Sequence, residues 1–243
     1  MPNFLLPGER ADDLELDGLV CIQDPSSYCF TSDAVLLANY VKCGPKDRVI
    51  ELCAGSGVIS TIVGYKRKPK SITMVEIQKK QADRARRTFL ANNMQAEVIC
   101  EKLQGISNTT KKYSFDVCYV NPPYRKSQSD KSTNPSIAIS THEVEITLSE
   151  LMLECEHLLK FGGKLFMVYP VDRLSELMSE LNKNKIEPKQ MTFVFPKAHK
   201  KAELVLLTAV KGGKPGLIIT PSVIEKNKDG SNTEIMKSIY NSR

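Results

Sequence analysis

Two hydrophobic periods alternate along this chain. Short apolar runs at 48–52, 71–76, 96–100 and 115–120 are bounded by polar or glycine-containing breaks, the pattern of strands buried on both faces. Between and after them, residues 57–66, 78–93, 144–160 and 172–184 carry apolar side chains at helical spacing. Gly162-Gly163 is expected to stop the third of these helices, and residues 164–169 to follow as a strand. Upstream, Thr31 or Ser32 caps a helix reaching about Lys42, with Val35, Leu36, Leu37 and Tyr40 on its buried side. Late in the chain, 189–195 and 202–211 pair as a hairpin. Regular alternation of strand and helix predicts a doubly wound α/β fold. It places one domain over 1–224, including an N-terminal extension at 1–46, with a polar, loosely held tail over 225–243. Ile235, Ile239 and Tyr240 sit at helical spacing in that tail, suited to docking a short helix. The segment 125–141 reads as a long irregular stretch, a flap that orders on a partner or a surface insertion.

Composition narrows the class without choosing a function. A chain of 243 residues with 41% hydrophobic and 26% charged residues builds one substantial core. No apolar run reaches the ~18 residues of a membrane span, and the amino terminus lacks a basic-then-apolar leader. The seven cysteines are scattered with no Cys-x-x-Cys pair, so neither a metal site nor a disulfide framework is expected. A cytoplasmic location follows as the expectation. The formal charge is +6, from 34 Lys and Arg against 28 Asp and Glu, too mild to signal nucleic acid by itself. Its clustering says more: Arg125 and Lys126 follow a proline-rich turn, 197–201 links two late strands, and 66–70 precedes a strand. The first pair belongs to the ligand edge of a doubly wound sheet, and the 66–70 cluster to the opposite edge, as a solvated loop.

That proline-rich turn carries the sharpest chemistry. Asn121-Pro122-Pro123-Tyr124 closes the strand-like run 115–120. Two prolines donate no backbone N–H and cannot extend a sheet, so the chain leaves it rigidly, presenting an amide, a carbonyl and a ring together. Such a turn suits a planar group bearing an exocyclic amine. Upstream, Glu51 ends a strand, Cys53-Ala54-Gly55-Ser56-Gly57 makes a tight turn, and a helix begins. That order opens a nucleotide-binding βαβ unit. Glu76 ends the next strand, placed to accept ribose hydroxyls. The third glycine of the dinucleotide fingerprint is missing, with Thr61 and Ile62 in its neighbourhood, and Glu51 disfavours a pyrophosphate. A cationic ligand without phosphate fits better, and S-adenosylmethionine is one.

Taken with these motifs, Leu6-Pro7-Gly8-Glu9-Arg10, Asp13-Leu14, Gln23, residues 30–38, His142-Glu143 and residues 158–163 complete a pattern. From about residue 5 to about 224 the chain resembles the bacterial tRNA1(Val) (adenine(37)-N6)-methyltransferase family, within the class I S-adenosylmethionine-dependent methyltransferases. The resemblance implies a Rossmann-like, seven-stranded, mostly parallel sheet with an antiparallel last strand and helices on both faces. It implies S-adenosyl-L-methionine as cofactor, tRNA as partner, no metal, and N6-methylation of the adenosine 3′ of the anticodon. Residue by residue, Asn121, Pro122 and Tyr124 would be catalytic. Glu51, Cys53, Gly55, Gly57, Glu76, Ile77, Glu101, Asn121 and Phe30 would hold the cofactor, and Tyr124, Arg125, Lys126 and His142 the substrate. The acid usual after the third strand is displaced here, with Lys102 at its position and Glu101 one earlier. Three other readings remain: methylation of another amine (a protein glutamine or DNA adenine), a nicotinamide-dependent oxidoreductase, and a non-catalytic RNA-binding module.

Overall fold

A computed structural model describes residues 4–124, 135–141 and 145–241. An antiparallel hairpin of β1 (Arg10–Asp13) and β2 (Val20–Gln23) precedes helix α1 (Ser32–Tyr40). Strand and helix then alternate through β3 (Arg48–Leu52), α2 (Val58–Arg67), β4 (Ser71–Val75), α3 (Lys79–Ala91) and β5 (Glu97–Ile99). The short α4 (Ile106–Thr109), β6 (Phe115–Val120), α5 (Pro135–Thr141) and α6 (Leu148–Leu158) follow. They lead to β7 (Leu159–Pro170), α7 (Leu174–Lys183) and the long hairpin β8 (Ile186–Lys197) and β9 (Leu204–Lys211). Two short strands, β10 (Ile218–Ile219) and β11 (Val223–Lys226), and helix α8 (Glu234–Asn241) come last.

The main sheet runs β5-β4-β3-β6-β7-β9-β8, and β10 and β11 both pair with β8 beyond it. Only β9 is antiparallel to its neighbours, β7 and β8. The chain therefore winds outward from β3 to β5, then returns to β6 on the other side of β3. This is the switch point at which open α/β sheets bind ligands. Register sharpens it: Leu52 pairs with both Val75 and Val120, so β3, β4 and β6 end at one level. Residues 53, 76 and 121 thus emerge side by side.

Helices cover both faces because the strands are apolar on both. On one face α1, α2 and α3 pack Leu36, Ile62 and Phe89 against Val49, Val117 and Phe166. On the other, α6 and α7 pack Leu151, Met152 and Leu177 against Ile50, Cys118 and Leu165. The N-terminal hairpin is tied to α3 through Glu9, whose carboxylate receives Arg84 and Arg87 at 3.0 and 2.6 Å. Burial would raise the Glu9 pKa, but hydrogen bonds from Arg87, the Leu6 N–H and Arg84 bring it down to about 2.

Several sequence expectations change here. The helix expected over 144–160 starts later, because Thr147 and Glu150 form a reciprocal capping box at its head. It ends at Leu158, before the glycines. Gly162, at φ +79°, instead lies inside β7, where the pairing with β6 shifts register between Phe115 and Val117. Part of the stretch read as irregular is helical, since α5 spans Pro135–Thr141. Toward the C-terminus, β11 adds to the sheet edge and Met236 of α8 is 2% exposed, with Ile239 and Tyr240 packed on the core. Ile235, expected to dock, faces outward. The 66–70 cluster precedes β4 at the opposite edge, as expected, but only 68–70 are loop: Lys66 and Arg67 end α2, half-buried, on the Asn39 side chain and the Val41 carbonyl.

Candidate active site

At the switch point the glycine turn holds two carboxyl groups in unlike ways. Glu76, 6% exposed, accepts the Gly55 N–H and the Gln78 N–H, each at 2.8 Å. Burial raises its pKa, opposed by backbone N–H groups of Gln78, Gly55 and Ile77. Each oxygen has one lone pair fixed by the backbone, which aims the carboxylate and leaves acceptor capacity for a diol. Glu51, 1% exposed, accepts the Ser60 N–H at the head of α2, at 3.0 Å. Burial pushes its pKa up to about 8, against hydrogen bonds from the Ser60 hydroxyl and N–H. A neutral Glu51 at neutral pH repels a phosphate less than a charged one would. A cation beside it restores the charge.

Two glycines in this turn do different jobs. Gly55, at φ +55°, would carry its Cβ into open space, so its bare backbone leaves room for a ligand. Gly57, at φ +81°, would press a Cβ to 3.2 Å from Ala85 and Met74. It does not line the cleft. Gly57 was expected to touch the cofactor, but its role is close packing of α2 onto α3 and β4. The turn is also clipped from outside: the Gln23 amide donates to the Ser56 hydroxyl, and its Oε1 accepts the Phe30 N–H at 3.2 Å. The N-terminal hairpin thereby sets both the glycine turn and Phe30.

The Asn121 turn is held from two sides. On one, Asn121 Nδ2 donates to Asp33 Oδ2 at 3.1 Å, and Asp33 is 4% exposed. A carboxylate only accepts, so the amide nitrogen must face it and Oδ1 is the end left to accept from a substrate. The other Asp33 oxygen is held by the Ala34 N–H and the Thr31 hydroxyl. On the other side Arg173, 9% exposed, donates to the Tyr124 carbonyl at 2.7 Å and pairs with Glu176 at 2.7 Å. Its guanidinium also lies 5.4 Å over the Tyr169 ring, which meets Tyr124 edge-on at 6.4 Å. Asp33 and Arg173 escaped the sequence reading. Asp33 lies within residues 30–38, but its pairing to Asn121 spans 88 positions. Arg173 follows a strand end with no local signal.

The glycine turn, the two acids and the Asn121 turn line one cleft of about 200 Å3. Of the expected residues, Phe30, Glu51, Cys53, Gly55, Glu76, Ile77, Asn121, Pro122 and Tyr124 line it. Glu101 does not, being exposed and directed at the Thr109 hydroxyl at 3.4 Å; Leu103 lines the cleft from that segment. Arg125, Lys126 and His142 lie outside the described residues. Helix α5 closes one wall with Ile139, Ser140 and Thr141, latched by Gln78 through Ser140 at 2.8 Å and Ser136 at 2.6 Å. Among the described residues no cluster of His, Cys, Asp and Glu is arranged to hold a metal, and no helix is long and apolar enough to cross a membrane.

Sheet order, glycine turn and acid at the second strand define a class I methyltransferase fold. Solved structures agree on it. A protein from Agrobacterium tumefaciens described as a predicted O-methyltransferase superposes with a TM-score of 0.70 at 19% identity, over 87% of this chain and 96% of its own. TYW2 of M. jannaschii, solved with AdoMet, superposes at 0.57 and 12% identity, over 84% and 86%. The chain belongs to the methyltransferase small domain family, whose profile matches residues 31–185. Membership of that family makes methyl transfer its activity. Relatives named tRNA1(Val) (adenine(37)-N6)-methyltransferase include one from Shewanella woodyi, 24% identical over 85% of this chain and 88% of its own. Another, from Dyadobacter fermentans, is 23% identical over 90% and 92%.

Proposed function

We propose that this protein methylates N6 of an adenosine in tRNA, the adenosine 3′ of the anticodon of tRNA(Val). The observation that carries this reading is the oriented amide of Asn121, turned by Asp33 so that Oδ1 accepts, beside a carbonyl and the Tyr124 ring. The names of the Shewanella and Dyadobacter relatives support the choice of substrate.

When bound, S-adenosylmethionine supplies a methyl group made electrophilic by its sulfonium. Glu76, pre-aimed by Gly55 and Gln78, takes ribose hydroxyls, and Glu51 faces positive charge. Asn121 Oδ1 and the Pro122 carbonyl accept the two hydrogens of N6. That bonding draws the nitrogen toward a pyramidal geometry and turns its lone pair, otherwise delocalised into the ring, toward the methyl. Tyr124 stacks on the base, itself braced by Tyr169 and Arg173. Transfer is an in-line displacement in which placement and exclusion of water lower the barrier. The methylated nitrogen is cationic and loses its proton to water, so no side-chain base is required. An adenosine inside an ordered anticodon loop must leave its stack to reach this turn.

A tRNA(Val) transcript and its variant with guanosine 3′ of the anticodon test the assignment. Methyl transfer to the first and not the second is expected. Equal labelling of both would displace the site, and labelling of neither would move the substrate to another amine.

A further inference from the structure

Sheet direction brings a second basic region to the edge that carries the Asn121 turn. Strands β6 and β7 are parallel, and β9 is antiparallel to both β7 and β8, so β8 ends where β6 ends. Register runs from Val120 to Met167, Leu207 and then Met191. Lys197 is six residues further along β8 than Met191. The β8–β9 turn therefore overhangs the edge by ~20 Å, and sits three strand spacings, ~14 Å, to the side. Parallel pairing of β11 sets Lys226 opposite Lys197, so Lys228 leaves at the same edge.

The charge in this overhang is not neutralised by salt bridges, though Lys226 Nζ donates to Asn232 Oδ1 at 2.6 Å. His199, Lys200, Lys201, Lys226 and Lys228 are exposed. None of the five lysines there forms a salt bridge with a described residue. Three carboxylates accompany them: Asp229 accepts the Ser231 N–H and hydroxyl and lies near Lys197, Glu225 accepts the Ser32 hydroxyl, and Glu203 is exposed. The opposite flank of the same edge carries Glu101 and Glu145, with Lys102 paired to Glu145 at 3.2 Å. Positive charge thus lies on the flank away from the cofactor carboxylates. The turn residues 198–203 hold no large apolar side chain to enter a bilayer, and the antiparallel β8–β9 stalk fixes the lysines in advance.

We infer that the β8–β9 turn and the β11–α8 turn form a phosphate-binding surface that grips the RNA backbone while the target base occupies the Asn121 turn. This rests on the proposed tRNA reading. Salt-dependent tRNA binding, methylation kinetics and cofactor affinity are measured for the full chain and for Lys200→Glu/Lys201→Glu and Lys226→Glu/Lys228→Glu. Each pair is expected to raise KM for tRNA about tenfold at 150 mM salt and to lower the log–log salt slope of binding by roughly 1.5–2. Cofactor affinity should hold within about twofold, which also reports intact folding. If the parent chain methylates tRNA and both variants match it, the surface assignment is overturned and the tRNA reading stands. If the parent binds tRNA through these lysines without methylating it, the tRNA reading falls and the surface stands. Lysine-dependent binding to phosphatidylserine–phosphatidylcholine vesicles in place of RNA, or no binding to either, overturns it.

Discussion

At the scale of single residues, the site depends on how buried charges set neutral groups. Asp33 holds Asn121 with the carbonyl end outward, and its substitution by Asn gives the amide a partner that either donates or accepts. Asp33→Asn should lower kcat on the order of tenfold, about 1.4 kcal/mol, with cofactor Kd little changed. A loss shared equally between kcat and cofactor affinity would show that Asp33 shapes the pocket rather than the amide. Glu51 supplies a pH test. Its folded pKa is about 8 against an ordinary 4.5, so the cofactor-free folded chain keeps a proton that the unfolded chain releases. Stability from this group is therefore full below pH 4.5 and declines as pH rises toward 8. Glu51→Gln should raise Tm of the cofactor-free protein at pH 8, with the gain vanishing near pH 5, while weakening cofactor binding at pH 8. A Tm shift independent of pH would contradict this ionisation.

At the scale of elements, two glycines two residues apart separate ligand space from packing. Gly57→Ala meets Ala85 and Met74 at a positive φ and should cost about 1–3 kcal/mol in a denaturation midpoint. Gly55→Ala has open space around its Cβ and should cost less stability but more cofactor affinity. The reverse ranking would exchange their roles. This distinction was not legible in the sequence, where both glycines belong to one motif. Strands β3, β4 and β6 were legible to within a residue, because burial on both faces leaves no polar alternation to blur their ends, whereas β7, expected at 164–169, spans 159–170. Boundaries failed where a local signal was outweighed. Gly162 looked like a helix stop, yet sheet pairing took it into β7 as an irregularity. The tail looked too polar to pack, but burying Met236 and extending the sheet through β11 required few apolar residues.

Across the whole molecule, fold and chemistry meet because β3, β4 and β6 end at a common level, bringing Glu51, Glu76 and Asn121 together from distant segments. Glu51, Glu76 and Asn121 were each legible from strand-end position. The supports were not: Asp33, Gln23 and Arg173 reach the site through contacts long in sequence, which no local pattern reports. Glu101 illustrates the converse, an acid of suitable type in a suitable segment that the backbone turns away. The central claim joins this geometry to one product. Its most direct test is transfer from labelled S-adenosylmethionine to unmodified bacterial tRNA, with nucleoside mass spectrometry of the product beside Asn121→Ala. N6-methyladenosine made by the parent chain, and reduced at least 100-fold in the variant with cofactor binding retained, is the result expected. Cofactor binding by the parent without N6-methyladenosine in the RNA would contradict the account.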